Sequence, residues 1–191
     1  MTVFAPLRRL AEQGVRKVGI VGIGGLGHLA IQFAHALGLD VSALSSSPDK
    51  VDEARVFGAD EFVVTSDPAA MRRVEYAFDA LVCTAPVGNA WEGLLMAVKK
   101  NGTVVLPAFS PVELGLAADG GSGSLVDLVV HQLSITGSFL GNHQDITDML
   151  DFAHQHQITP LIELMPMSEA DAAIKMVRQN TPRYRIVLTS T

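Results

Sequence analysis

The chain has 191 residues, 48% of them hydrophobic, and its 20 acidic against 14 basic side chains leave a formal net charge of -6. That length fills one α/β core, or one domain with an appendage, and leaves no room for a second full domain. The acidic balance argues against a nucleic-acid groove or an anionic membrane surface, no apolar run approaches the ~20 residues that span a bilayer, and the single cysteine, Cys83, excludes an internal disulfide or a multi-cysteine zinc site.

Pro6, Arg8 and Arg9 follow Met1 too soon for a signal peptide, so a cytoplasmic protein is expected. Thr2 is placed to cap a short helix in which Val3, Leu7 and Leu10 share a face, ending near Gln13-Gly14. With little before the first strand to pack on, this segment reads as a connector. Lys17 to Gly27, Lys-Val-Gly-Ile-Val-Gly-Ile-Gly-Gly-Leu-Gly, then passes from strand through a glycine turn into helix periodicity. Val18 to Ile23 is the strand. Leu26, Leu29, Ala30, Phe33 and Leu37 recur on one helix face with His28, Gln32 and His35 opposite, Gly38 stops the helix, and Val41 to Leu44 is the next strand.

A complete βαβ unit therefore surrounds the glycines, and it reads as a dinucleotide site. Gly22, Gly24 and Gly27 serve separable needs: a sharp turn, close approach of backbone to a pyrophosphate, and close packing of helix on strand. With Gly25 and Leu26 they open a helix whose N-terminal N–H groups and partial positive charge suit phosphate.

The second strand ends at Ser45-Ser46-Ser47-Pro48-Asp49-Lys50, where NAD-preferring enzymes place an acid for the ribose 2′-hydroxyl. Three hydroxyls, a helix start and the Lys50 ammonium suit a 2′-phosphate instead, so NADP is favoured. Asp40 stands at the wrong end of the strand, but Asp49 is close enough to leave NAD open. Ser47 also suits the cap of the helix that Pro48 begins and that runs through Val56 to Gly58.

Glu61 to Thr65 is a third strand, with a short turn or helix from Asp67-Pro68. Phe78 to Thr84 is the fourth, headed by Asp79. Cys83 near its end reads as a small core residue, and Thr84-Ala85-Pro86 lies where open α/β sheets bind ligands. Asn89 to Val98 reads as a helix, with Lys99-Lys100 near its negative end and Asn101-Gly102 ending it, and Thr103 to Leu106 is the fifth strand. Pro107 to Ser124 is irregular and linker-like, and mobility is expected there. Leu125 to Val130 is a short apolar helix and Leu133 to Gly137 the sixth strand. Six strands alternating with helices imply a parallel sheet wound on both faces.

Asn142 caps a helix with Ile146, Met149, Leu150 and Ala153 on one side. His154 and His156 point apart, and His28 and His35 stand about 10 Å apart along their helix, so all six histidines read as non-ligands. Leu161 to Leu164, a helix from Ser168 with Ala173, Ile174 and Val177 as its buried stripe, and Arg183 to Leu188 form a closing strand-helix-strand that suits a different sheet.

Gly22 to Ala30, Ser45 to Pro48, Phe57-Gly58-Ala59-Asp60, Gly137 to Gly141 and Arg183 to Leu188 together resemble the zinc-dependent medium-chain alcohol dehydrogenases, most closely the cinnamyl alcohol dehydrogenase branch that reduces aldehydes with NADPH. The resemblance implies a Rossmann domain over residues 15–159, preceded by a connecting helix over 1–14 and followed at 160–191 by a segment that returns to the catalytic domain. By it, Ser46, Ser47 and Lys50 look like the 2′-phosphate pocket, Thr84 and Ala85 like part of the nicotinamide wall, Ser138, Phe139 and Leu140 like backbone contacts to the carboxamide, and Arg185 like a phosphate contact.

Family members also carry a catalytic domain that binds zinc through cysteine and histidine, and no such ligand set is found here. The expectation is a truncated product or isolated cofactor domain: the NADP(H)-binding part of an alcohol/aldehyde oxidoreductase, inactive alone, with zinc in the family but not on this chain. A non-catalytic dinucleotide-binding or sensor module is the alternative, and a zinc-free quinone reductase fragment fits the glycine and serine motifs less well. The expected partners are the dinucleotide, the absent domain, and a second copy paired through the exposed sixth strand.

Overall fold

In the computed structural model, which describes residues 1–85, 91–107, 125–179 and 181–190, the apolar stretches between Lys17 and Gly137 form one parallel sheet. Its strands are β1 (Lys17–Val21), β2 (Asp40–Ser45), β3 (Glu61–Val64), β4 (Phe78–Cys83), β5 (Val98–Leu106) and β6 (Ser134–Gly137), in the order β3-β2-β1-β4-β5-β6. The order reverses between β1 and β4, and a crevice opens beyond the carboxyl ends of strands at such a switch point. Neither Asn89 nor the linker-like residues 108–124 lie within the described residues.

Period-two alternation along the central strands divides the core between the sheet's faces. Val18, Ile20, Val41, Ala43, Ala80 and Val82 point to one side and Val21, Leu44, Leu81 and Cys83 to the other. The first side is covered by α1 (Phe4–Glu12), α2 (Gly27–Ala36) and α7 (His143–Gln155), which meet where Phe4 lies 5.1 Å from Phe33 and 5.3 Å from Phe152, centroid to centroid. Helix α3 (Val51–Val56) adds Ala54 to this side, while α4 (Pro68–Arg73) and α5 (Trp91–Met96) bury Ala70, Trp91, Leu94 and Leu95 on the other. Helix α6 (Leu125–Val130) leads into β6.

Several expectations are corrected. Helix α1 has more to pack on than expected: Phe4, Leu7 and Leu10 are buried, and each such side chain contributes ~1.5–3 kcal/mol. Its cap position belongs to Val3, without a side-chain bond, rather than to Thr2. The helix expected to run through Val98 ends at Met96, because Val98, Lys99 and Lys100 belong to β5, where Val98 pairs with Phe78 before the register shifts at Ala80. The Asp79 carboxylate explains this start, since it accepts from Lys99 Nζ at 2.8 Å and from the N–H groups of Lys17 and Arg16 at 2.8 and 3.0 Å.

Asn142 does cap α7, in a reciprocal box with Asp145. The packed face of that helix, however, is Met149, Phe152 and Ala153, while Ile146 and Leu150 are exposed. A separate two-stranded parallel sheet follows, made of β7 (Ile162–Pro166) and β8 (Arg185–Thr189) joined by α8 (Ala170–Arg178). Within α8 only Ala173 is buried. Ile174 and Val177 of the expected stripe are exposed.

Candidate functional site

The chain leaves β1 into a turn that main-chain bonds fix from both sides: Gly22 N–H donates to Leu44 O at 2.8 Å and Thr84 N–H to Val21 O at 2.9 Å. Gly22 has φ +88°, and a Cβ there would stand 2.4 Å from the Ala85 Cβ. A Cβ on Gly27 would stand 1.9 Å from Gly22 O, so helix and turn touch backbone to backbone. Gly24 differs, for a Cβ there would meet nothing within 4 Å. The Thr84 hydroxyl lies 3.0 Å from Val21 O and 2.9 Å from Gly22 O and ties the end of β4 to the turn. Helix α2 begins after Leu26 with no side-chain cap; His28 N–H donates to Gly24 O at 3.1 Å, and the other N–H groups of the first turn have no side-chain acceptor from the cap.

A cleft of about 390 Å³ opens over this turn, lined among others by Gly24, Gly25, Leu26, Lys50, Thr84 and Arg185. Its outer wall comes from the C-terminal unit. Arg185 Nε donates to Gly25 O at 3.2 Å, and Lys50 Nζ donates to Ile23 O at 2.8 Å while lying 5.6 Å from the centre of the Tyr184 ring. Burial, then the neighbouring Arg183 charge, lowers the Lys50 pKa against the pull of Asp49 and Glu53. At the β2 end, Ser45 is buried and its hydroxyl accepts from Ser47 N–H at 3.1 Å; Ser46 is exposed and Ser47 half-buried. Ser47 takes the cap position of the 3₁₀ turn Pro48–Lys50 but makes no side-chain cap bond, contrary to expectation.

The expected residues do not form one cluster. Ser138, Phe139 and Leu140 leave β6 and line a second cleft, with Arg8, Arg9 and Asp145. Phe139 and Leu140 are exposed, whereas the Ser138 hydroxyl oxygen is buried without a hydrogen-bond partner among the described residues. Cys83 is buried and its thiol is pushed up to about 12 by desolvation, consistent with a core role. Among the described residues no group of three or more His, Cys, Asp or Glu side chains could hold a metal ion, so the donor set does not fit zinc. Nor, among them, is any helix long and apolar enough to cross a membrane.

Four residues behind the turn escaped the sequence reading. His28, expected on the outer helix face, is fully buried. Its Nε2 accepts from Leu161 N–H at 3.2 Å, so the proton sits on Nδ1, which donates to Gly24 O at 2.9 Å. The imidazole stacks on Tyr184, with centroids 4.9 Å apart. The Tyr184 hydroxyl donates to Glu53, and Arg183 pairs with Asp49 at 2.9 Å and Glu53 at 3.2 Å. A histidine four residues after Gly24 is at helical spacing to reach that carbonyl. That was the available signal, and counting only apolar residues missed it.

Residues 25–155 match the family model described as zinc-binding dehydrogenase. A Bacillus subtilis protein named "Probable formaldehyde dehydrogenase AdhA" is 37% identical over 188 residues, 98% of this chain and 52% of the relative. A Pinus taeda protein named "Probable cinnamyl alcohol dehydrogenase" is 34% identical over 191 residues, 98% of this chain and 51% of its own. Of solved structures, a cinnamyl alcohol dehydrogenase of Sorghum bicolor superposes with TM-score 0.82 at 33% identity, covering 98% of this chain and 52% of that one. The CAD of Helicobacter pylori complexed with NADP(H) gives 0.79 at 26%, covering 98% and 51%. The chain thus spans about half the length of the curated relatives it matches.

Proposed function

The chain belongs to the zinc-binding dehydrogenase family, and from that premise we propose that it is the NADP(H)-binding part of an alcohol/aldehyde oxidoreductase. One observation carries the reading: at the switch point, Gly22 and Gly27 have no room for a side chain while Gly24 faces open space beside an uncapped helix start. A diphosphate fits that combination.

The N–H groups that open α2, with the Arg185 guanidinium beside Gly25, hold the pyrophosphate. Ser46, Ser47 and Lys50 take the 2′-phosphate, with Ser45 shaping their turn. Thr84 and Ala85 wall the nicotinamide end, and Ser138, whose buried hydroxyl oxygen lacks a partner among the described residues, turns with Phe139 and Leu140 toward the carboxamide. When bound, the nicotinamide supplies hydride transfer to an aldehyde or from an alcohol. The chain's own residues orient that ring and exclude water from one side of it. The described residues offer no zinc ligand set.

We assign residues 15–159 to the dinucleotide domain, 1–14 to its leading helix and 160–191 to a segment that meets a catalytic half of the kind the longer relatives have room for. Exposed Leu164, Ile174 and Val177 support that contact. Pairing of two copies through the β6 edge belongs to the same proposal.

Calorimetric titration of the purified chain with NADPH and NADH is the test, repeated with Lys50→Ala. Tighter binding of NADPH, lost on substitution, is expected. Equal affinities would remove the 2′-phosphate assignment, and sustained zinc-dependent reduction of a benzaldehyde-type substrate would overturn the expectation of an inactive chain. A non-redox nucleotide module that uses exposed surface for a partner is the second reading, and exposed Leu164, Ile174 and Val177 supply such a surface. Restoration of aldehyde reduction by adding the catalytic half of a relative would refute it.

A further inference from the structure

We propose that Arg183 is a positioning residue that sets the choice between NADP and NAD, by neutralising the carboxylates of Asp49 and Glu53 around Lys50. The proposal rests on the dinucleotide reading above.

Four charges gather at the end of β2. Lys50 and Arg183 supply two positive charges and Asp49 and Glu53 two negative ones, so the group is balanced. Arg183 comes from the far end of the chain and spans both acids, with Nη2 at 2.9 Å from Asp49 and Nη1 at 3.2 Å from Glu53. The Glu53 carboxylate is further engaged by the Tyr184 hydroxyl.

Lys50 is only partly committed. One of its three N–H donors goes to Ile23 O, which among the described residues leaves two for a ligand. Whether a phosphate gains from them depends on the acid next door. Asp49 adjoins Lys50 in sequence and is more than half exposed. A free carboxylate at this end of the strand is the group that suits a ribose 2′-hydroxyl and repels a 2′-phosphate. Bound to Arg183, Asp49 is held away from that role. Without Arg183 the group would carry one net negative charge, set against a phosphate that is itself anionic.

The test measures dissociation constants for NADPH and NADH by calorimetry at low ionic strength for the wild type, Arg183→Ala, Asp49→Asn and the double variant. Arg183→Ala is expected to weaken NADPH about tenfold while NADH changes less than about twofold. Asp49→Asn in the same chain should restore most of the loss, and alone it should tilt the ratio toward NADPH. An unchanged ratio in Arg183→Ala, an equal loss of both nucleotides, or no recovery in the double variant would overturn the proposal. Should Arg183→Ala fail to melt cooperatively, Asp49→Asn alone decides, and an unaltered ratio in it refutes the idea. A wild-type chain that binds neither nucleotide would instead overturn the dinucleotide reading itself.

Discussion

Gly24 and Gly27 sit three residues apart, yet their substitution should fail for different reasons. A methyl on Gly27 would stand 1.9 Å from a carbonyl oxygen of the same turn, with no flexible side chain to move aside. Gly27→Ala is therefore expected to lower the urea midpoint by the equivalent of about 3 kcal/mol. Gly24→Ala meets open space and should leave stability within about 0.5 kcal/mol while weakening nucleotide binding at least tenfold. Unimpaired binding by Gly24→Ala would deny that the space belongs to a phosphate. His28 carries a pH prediction. Burial, against the Gly24 hydrogen bond and with some help from Arg185, lowers its pKa below 6.5. The unfolded chain then binds the proton more readily, so the stability that neutral His28 confers is complete above pH 6.5 and is lost as pH falls through the window beneath it. Urea unfolding from pH 8 to 5.5 should show this slope, and His28→Gln should flatten it; an identical slope in the variant would contradict the assignment.

Single elements were legible where pattern and context agree. The strand β1, the glycine turn and α2 could be located because β-branched residues, glycines and a helical stripe follow one another without interruption. The reach of α2 was misread at His28, since a buried polar side chain satisfied at both nitrogens looks, in sequence, like a solvated one. The helix was read through Val98 because lysines suit the negative end of a helix, whereas the Asp79 carboxylate, twenty residues before Lys99 in the chain, holds the Lys99 ammonium where β5 begins. Ile174 and Val177 were read as buried because an amphipathic stripe specifies a partner without saying whether this chain provides it. The bonds of the C-terminal unit to α3 were not legible, being contacts between residues 131 apart such as Tyr184 with Glu53, and only the resemblance brought Arg185 to the phosphate end. Tyr184→Phe removes that donor and should cost about 1–2 kcal/mol. Amide exchange should quicken in β7 and β8 while β1 and β4 stay protected. Uniform change across both sheets would mean that the C-terminal unit does not open separately.

At the scale of the molecule, two exposed apolar regions should have different occupants. The first is the outer surface of the C-terminal unit, where Leu164, Ile174 and Val177 are exposed in a chain that spans about half the length of its relatives. The second includes the sheet edge: β6 pairs only with β5 among the described strands, and Val129 and Val130 of the helix that leads into it are exposed. An unpaired edge offers a row of main-chain donors and acceptors to a second copy, so self-association through β6 is expected to be specific. The C-terminal surface offers no such register and should promote only non-specific association. Charged substitutions separate the two. Val129→Glu with Val130→Glu should convert a sedimenting dimer to monomer, whereas Leu164→Glu with Val177→Glu should reduce light scattering and leave the dimer in place. A wild-type chain that sediments strictly as a monomer at high concentration would refute pairing, and a dimer abolished by the Leu164 and Val177 changes would move the interface to the C-terminal unit.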